Sequence, residues 1–251
     1  MIRRIFRWLF LGVLGILVGL ALYEAIILGR VYWLRDHNPS STSLIDTRAS
    51  EARAKGQQPR REQAWMPLEK ISANLQRAVL AGEDTNFTTH RGFDYEAIQK
   101  AYEQAQREAA REAKREGEDD DWLPNLPEFK RGGSTISQQL AKNLYLSSQR
   151  SFIRKGQEAL VTIMLERLLS KRRILEIYLN VIEWGDGVYG AEAAAQKYFR
   201  KSASSLSANE AAYLSAMIPN PRTVFNPQIN PRRLARRQRI ILRGMPYVKI
   251  P

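Results

Sequence analysis

Leu160-Val161-Thr162-Ile163-Met164-Leu165-Glu166-Arg167-Leu168-Leu169 decides the fold. Seven of these ten residues are large and apolar, and at 100° per residue they fall on every side of a helix. A helix that is apolar all round has no solvent face and belongs in the middle of a core. Ser151 can cap it, which predicts a helix from about Phe152 to Leu169. On the N-terminal side, Leu68, Ile71, Leu75 and Val79 recur at helical spacing and run out near Gly82-Glu83-Asp84. Ile136, Leu140 and Leu144 form the next apolar stripe. On the C-terminal side follow Ile174, Ile177, Tyr178 and Val181, then Ala191–Phe199. Ser207-Ala208-Asn209-Glu210 is a capping box that opens the last helix, and Pro219 stops it. No run of alternating β-branched residues competes, so residues 66–230 are predicted to form an all-α domain. At this size it should bury about two-thirds of its unfolded surface, enough to fold on its own.

The chain has 251 residues and no cysteine, which excludes disulfide scaffolds, Cys-ligated zinc, iron–sulfur clusters and a cysteine nucleophile. Two histidines, His37 and His90, are too few for a multi-histidine metal site. Lys and Arg number 39 against 26 Asp and Glu, a net charge of +13, which calls for a polyanionic partner. Residues 8–29 carry one charge, Glu24, and as a helix would span roughly 33 Å, enough for a hydrocarbon core of about 30 Å. Arg3, Arg4 and Arg7 precede the span, whereas Glu24, Arg30, Arg35 and Asp36 nearly cancel at its end. The positive-inside rule predicts a single-pass anchor with residues 1–7 in the cytoplasm and everything after Gly29 outside. The rival reading is a cleaved signal peptide, but the run is long for one and no clean A-x-A site follows. A basic protein outside the membrane meets lipid phosphate rather than nucleic acid.

Residues 30–65 read as a linker, because Asn38-Pro39-Ser40-Ser41-Thr42-Ser43 and Lys55-Gly56-Gln57-Gln58-Pro59 are loop formers without an apolar period. Tyr95–Glu116 reads as a polar helix ending in the acidic run 118–121, a solvated insertion. The tail 231–251 holds six Arg between Arg232 and Arg243, which suits either anionic lipid or a plain surface helix.

Three constellations carry chemistry. Glu83-Asp84 follows a helix end with Phe87, His90 and Phe93 nearby; mutual repulsion and apolar neighbours would raise a carboxylate pKa and suit it to general-base work. The same pair also fits an ordinary turn cluster. In Arg131-Gly132-Gly133-Ser134-Thr135-Ile136-Ser137-Gln138-Gln139-Leu140-Ala141-Lys142-Asn143, two glycines open a helix whose N–H groups face what precedes it. Gln138 and Lys142 share one face, with Gln139 and Asn143 beside it, as a wall for sugar and phosphate or as the polar side of an amphipathic helix. In the third, Arg154 and Glu158 lie one turn apart and fit an internal ion pair, leaving Arg150 and Lys155 for phosphate.

The strings EDTNFTTHRGFD (83–94), RGGSTISQQLAKN (131–143), RSFIRKGQE (150–158) and RRILEIYLNVIEWGDGVYGAEAAAQKYF (172–199) resemble, in order, the motifs of the peptidoglycan glycosyltransferases, glycosyltransferase family fifty-one. With no transpeptidase segment after them, the resemblance is to the monofunctional members rather than to the bifunctional penicillin-binding proteins. It implies a lysozyme-like, two-lobed, all-α fold behind the transmembrane helix, placed at a bacterial inner membrane. It also implies polymerisation of lipid II into glycan strands with undecaprenyl pyrophosphate as leaving group. Glu83 is then the base on the acceptor 4-hydroxyl, Asp84 stands beside it, and Glu158 matches a second glutamate with a positioning role. Lys142, Arg150, Arg154 and Lys155 would face pyrophosphate. Phe87, His90, Gly133, Ser134, Thr135, Gln138, Gln139 and Asn143 would complete the substrate-binding set.

A pyrophosphate leaving group needs cations rather than the second carboxylic acid of a glycoside hydrolase, which agrees with one base beside a basic wall. No cofactor is required and no metal ligand set is evident, although a divalent metal such as Mg could assist, as in some relatives. The implied partners are lipid II, the nascent glycan strand, membrane lipid and further cell-wall synthesis proteins. Two departures stand out: the stretch between Asp94 and Gly132 is long and charged, and Gln157 occupies a position that is basic in some relatives. The competing functions are a membrane-anchored lysozyme-like or lytic transglycosylase and an inactive wall-synthesis scaffold.

Overall fold

The computed structural model describes residues 2–116, 134–146 and 151–251. Each apolar stripe becomes a helix, except that the first is broken: Leu68 lies in a single 3-10 turn (Leu68–Lys70), Ile71 is extended, and Ser72 caps a helix that starts only at Ala73. Helix α1 is Ile2–Trp33, α2 Ser43–Ala54, α3 Ala73–Glu83, α4 Tyr95–Glu116 and α5 Ile136–Tyr145. They are followed by α6 Phe152–Leu168, α7 Lys171–Val181, α8 Ala191–Phe199, α9 Ala208–Met217 and α10 Pro231–Gly244. Side-chain caps start several of them. Ser151 accepts from Arg154 N at α6, and Ser207 with Glu210 closes a capping box at α9, as the sequence predicts. Such a cap is worth about 0.5–2 kcal/mol. Leu75, Val79, Ile136, Leu140, Val161, Leu165, Ile174, Ile177 and Tyr178 form one buried core with Trp184, whose indole N–H donates to Leu214 O at 3.0 Å.

The domain is mostly helical, with one small addition. Strands β1 (Glu62–Gln63), β2 (Glu183–Gly185) and β3 (Val188–Tyr189) form a sheet of order β1-β3-β2, parallel between β1 and β3 and antiparallel between β2 and β3. Strands of two or three residues are too short to show an alternating pattern in the sequence.

Three expectations change. Helix α6 is not covered on every side: Val161 and Leu165 are buried, but Leu160 is 47% and Ile163 46% exposed, and Phe152 and Ile153 are almost bare. It packs against α1, to which Gln157 Nε2 donates at Glu24 Oε2 over 3.2 Å. Residues 30–65 are not a free linker. Val31 and Leu34 extend α1 into the core, Thr42 caps α2, and Ser43 Oγ donates to Leu146 O at 2.9 Å. Arg173 holds the bend between α1 and α2 through Leu34 O, His37 O and Asn38 Oδ1 at 2.7–2.9 Å, and Arg48 pairs with buried Glu183. Docking by polar contacts around the single buried Ile45 of α2 leaves no apolar period to read. Finally, the basic tail is a structural helix: Leu234 and Ile241, two turns apart, are buried and seat α10 against α3 and α9. The acidic run 118–121 lies outside the described residues.

Candidate active site

Helices α3, α5 and α10 enclose a cleft of about 1100 Å³ lined by Glu83, Asp84, Ser134, Gln139, Phe225 and four arginines of α10. Glu83 is the last residue of α3. Asp84 leaves the helix with extended φ and so turns the next residues toward α5. The Glu83 side chain is 8% exposed. Its Oε2 accepts from Gln139 Nε2 at 2.9 Å and its Oε1 from Arg237 Nη2 at 2.7 Å. Burial raises its pKa above the usual carboxylate range, against the pull of Arg237 and Gln139, while repulsion from Asp84 contributes least. Of the two causes expected from sequence, desolvation carries the shift.

Asp84 is a fastening. Its Oδ2 accepts from the backbone N–H of Ile136 at 2.9 Å, at the start of α5, and its Oδ1 lies 2.8 Å from His90 Nε2. Gly92 N donates to His90 Nδ1 at 3.1 Å, so the ring proton sits on Nε2 and is given to Asp84. Gly92 itself has φ +91, and a Cβ there would meet Thr162 Cγ2 at 2.8 Å, so this turn against α6 needs glycine. Thr135 Oγ1 donates to Gly92 O at 2.7 Å, tying the same turn to the N-terminus of α5.

The polar face read along α5 divides into separate jobs. Thr135 is the buried N-cap, and Gln138, also buried, returns its Oε1 to Thr135 N at 3.0 Å as the other half of a capping box. Gln138 is therefore a cap, not a free wall residue. Gln139 bridges: it donates to Glu83 and accepts from Tyr178 OH at 2.8 Å. Burial holds the Tyr178 phenol well above its ordinary pKa, so it remains a donor. Ser134 is exposed at the cleft, and Asn143 is half-buried one turn on from Gln139. Phe87 lies in the core, 1% exposed, with the Lys171 ammonium 4.4 Å from its ring centre, and presents no face to the cleft.

Glu158 is buried and takes Arg154 Nη1 at 2.8 Å and Lys155 Nζ, so the Arg154–Glu158 pair expected from sequence is present and Lys155 joins it. Arg154 Nε is buried with no hydrogen-bond partner among the described residues. Lys142 has a solvent-accessible side chain yet a crowded one: desolvation lowers its pKa, Glu158 opposes this, and Arg154 and Lys155 add to the lowering. It therefore belongs to the same electrostatic cluster as Glu158. Gly133 and Arg150 lie outside the described residues.

The residues missed are those of α10. Arg232, Arg233, Arg236 and Arg237 line the cleft, and Arg233 and Arg237 both stack on Phe225, with ring-centre distances of 5.5 and 5.4 Å. The arginine run was visible in the sequence. The signal that it turns inward is the Leu234/Ile241 spacing of two helical turns.

A family model described as Transglycosylase matches residues 50–117 and 122–246. This chain belongs to the transglycosylase family. The match takes in α10 and part of α2, which agrees with their packing onto the domain and exceeds the 66–230 span read from the apolar stripes. Curated relatives run over nearly the whole chain. A biosynthetic peptidoglycan transglycosylase of Thiobacillus denitrificans is 45% identical over 249 residues, 99% of each chain. One of Chromobacterium violaceum is 45% identical over 98% of this chain and 99% of its own. One of Methylobacillus flagellatus is 46% identical over 96% of each.

Proposed function

We propose that this transglycosylase polymerises lipid II into glycan strands, with Glu83 as the general base. The carrying observation is the setting of Glu83: a desolvated carboxyl lining a basic cleft, positioned by Gln139 and in contact with Arg237. As the acceptor 4-hydroxyl attacks the donor's anomeric carbon, its O–H bond breaks and the proton passes to Glu83. The anomeric C–O bond to phosphate breaks at the same time, and the electron pair leaves with undecaprenyl pyrophosphate. Lys142 and Arg154, with Arg150, are the cations proposed to meet that charge, in the way fixed donors stabilise developing anions.

The other carboxyls in or near the cleft are already engaged. Asp84 is bonded through both oxygens, Glu158 is held by two cations, and Asp94 accepts from Ala97 N and Asn86. Among the described residues none of these three is disposed to serve as a second acid beside Glu83, which favours transfer from a pyrophosphate over two-carboxyl hydrolysis of a glycoside. Among the described residues no three or more metal-ligating side chains converge.

Helix α1 contains a stretch, Phe6–Trp33, long and apolar enough to cross a membrane, with 6% of its most apolar window buried. The arginines at positions 3, 4 and 7 support a cytoplasmic N-terminus and an extracytoplasmic domain at a bacterial inner membrane. The bare apolar residues Phe152, Ile153, Leu160 and Ile163 on α6, beside α1, would then rest in lipid. The purified full-length chain should convert labelled lipid II into lysozyme-sensitive glycan and leave finished peptidoglycan uncut. Release of cleavage products from finished peptidoglycan, with no polymer from lipid II, would establish the lytic reading instead.

A further inference from the structure

Arg237 grips Glu83 in an unusual way. A guanidinium usually meets a carboxylate as a two-pronged fork. Here one nitrogen, Nη2, serves both Glu83 Oε1 at 2.7 Å and Gly82 O at 2.9 Å. Nε is buried with no partner among the described residues. The group is thus held by one prong with donors to spare. It stands on the cleft wall with Arg232, Arg233 and Arg236 of the same helix, a concentration of positive charge that will draw an anion to its side. Phosphate accepts two parallel N–H bonds from arginine, so a phosphate reaching this wall offers the fork that Glu83 does not.

We infer that Arg237 is a substrate-operated latch: in the free enzyme it closes on the Glu83 carboxylate, and the pyrophosphate of an arriving acceptor draws it off, freeing the base only when an acceptor is seated. This rests on the reading of Glu83 as the base. The latch makes Arg237 a positioning residue acting through Glu83. It also explains how a cleft open to water can hold a donor without activating water against it: the base is occupied until the acceptor comes.

The charges around Glu83 leave this role to Arg237. Asp84, next in the chain, is a carboxylate and acts in the opposite sense; its effect is small. Tyr178, on α7, reaches Glu83 only through Gln139. Lys142, on α5, has a closer electrostatic tie to Glu158 than to Glu83. Arg237 is the cation in contact with Glu83 among the described residues.

The test is the pH dependence of polymerisation by the full-length enzyme, with lipid-linked glycan donor held at saturation and lipid II varied as acceptor. The limb of kcat/KM for the acceptor reports Glu83 before the acceptor binds, and that of kcat reports it afterwards. A contacting opposite charge typically lowers a carboxylate pKa by about 1–3 units. In the wild type the acid limb of kcat/KM should therefore lie roughly one to three pH units below that of kcat. Arg237→Gln should raise the kcat/KM limb until the two coincide, and Arg237→Lys should restore part of the gap. A role confined to packing would change melting and leave both limbs in place. Coincident limbs in the wild type, which needs no variant to measure, would overturn the latch. So would a gap that survives Arg237→Gln. Glu83→Gln, run alongside, separates the failures: retained polymerisation in that variant removes the base reading itself, whereas its loss with unmoved limbs removes only the latch.

Discussion

Replacing Asp84 by Asn changes one atom and reverses one hydrogen bond. Both Asp84 oxygens accept, one from Ile136 N and one from His90 Nε2. The amide has a single oxygen, so its NH2 must face one of these two donors. If it faces Ile136, the first turn of α5 loses its anchor at a buried N–H. If it faces His90, the ring can move its proton to Nδ1, but that nitrogen already accepts from Gly92 N and would then confront it. Either way a buried donor is left unpaired, which costs about 1–3 kcal/mol. At roughly 2–4 °C per kcal/mol for a domain of this size, melting should fall by about 2–12 °C. Gln139, which aims Glu83, is carried on the loosened helix, so polymerisation should fall by about ten- to a hundredfold, less than on loss of Glu83 itself. Thermal melting and lipid II turnover of the purified variant, compared with Asp84→Ala, check both effects. An Asp84→Asn enzyme with wild-type melting and turnover would refute the fastening role and everything derived from it.

Lys142→Ala should cut turnover about ten- to a hundredfold by removing a charge-assisted phosphate contact. It should leave melting equal or slightly higher, because the ammonium is desolvated and repelled by Arg154 and Lys155; calorimetry and a glycan-product assay separate the two effects. Arg154→Ala should destabilise by about 1–3 kcal/mol, below the full cost of breaking a buried pair because Lys155 still reaches Glu158. Lys155→Ala, at the half-exposed partner, should hardly move the denaturation midpoint. Ile241→Ala should cost about 2–5 kcal/mol, since its side chain is 2% exposed beneath α10. By loosening the helix that carries Arg237, it should also lower activity, both read from melts and lipid II assays.

Most of the helical core was legible because its stripes are long and regular: Ile136, Leu140 and Leu144, or Ile174, Ile177 and Val181, announce their burial by spacing alone. Tyr95–Glu116 has the bounds expected from its polar sequence. What escaped was structure held by charge and by isolated contacts. Helix α10 looks like a basic tail because six of its fourteen residues are Arg, yet two buried residues two turns apart fix it against the domain. Residues 30–65 are held by Arg48 pairing with Glu183 and by Arg173 of α7 reaching the bend, and a lone arginine on a helix face reads in sequence as solvated. Among the motif residues, Gln139 meets Glu83, Asp84 fastens the start of α5, and Arg154 pairs with Glu158 in a separate cluster. Their division of labour was not legible, because Gln138 and Gln139 differ only in which side of α5 they occupy, one turned to the cap and the other to Glu83.

The central claim is that Glu83 removes the acceptor proton, and Glu83→Gln tests it most directly. The amide keeps the size of the side chain and its oxygen on Arg237, with its NH2 met by a Gln139 amide turned to present its own oxygen, but it cannot take a proton. General-base assistance is typically worth about a hundred- to ten-thousandfold, roughly 3–5 kcal/mol of barrier. Polymerisation of labelled lipid II by the full-length Glu83→Gln enzyme, with donor binding and helicity measured on the same sample, is the experiment. The expected result is a loss of that size with fold and donor binding retained; turnover near the wild-type rate would contradict it.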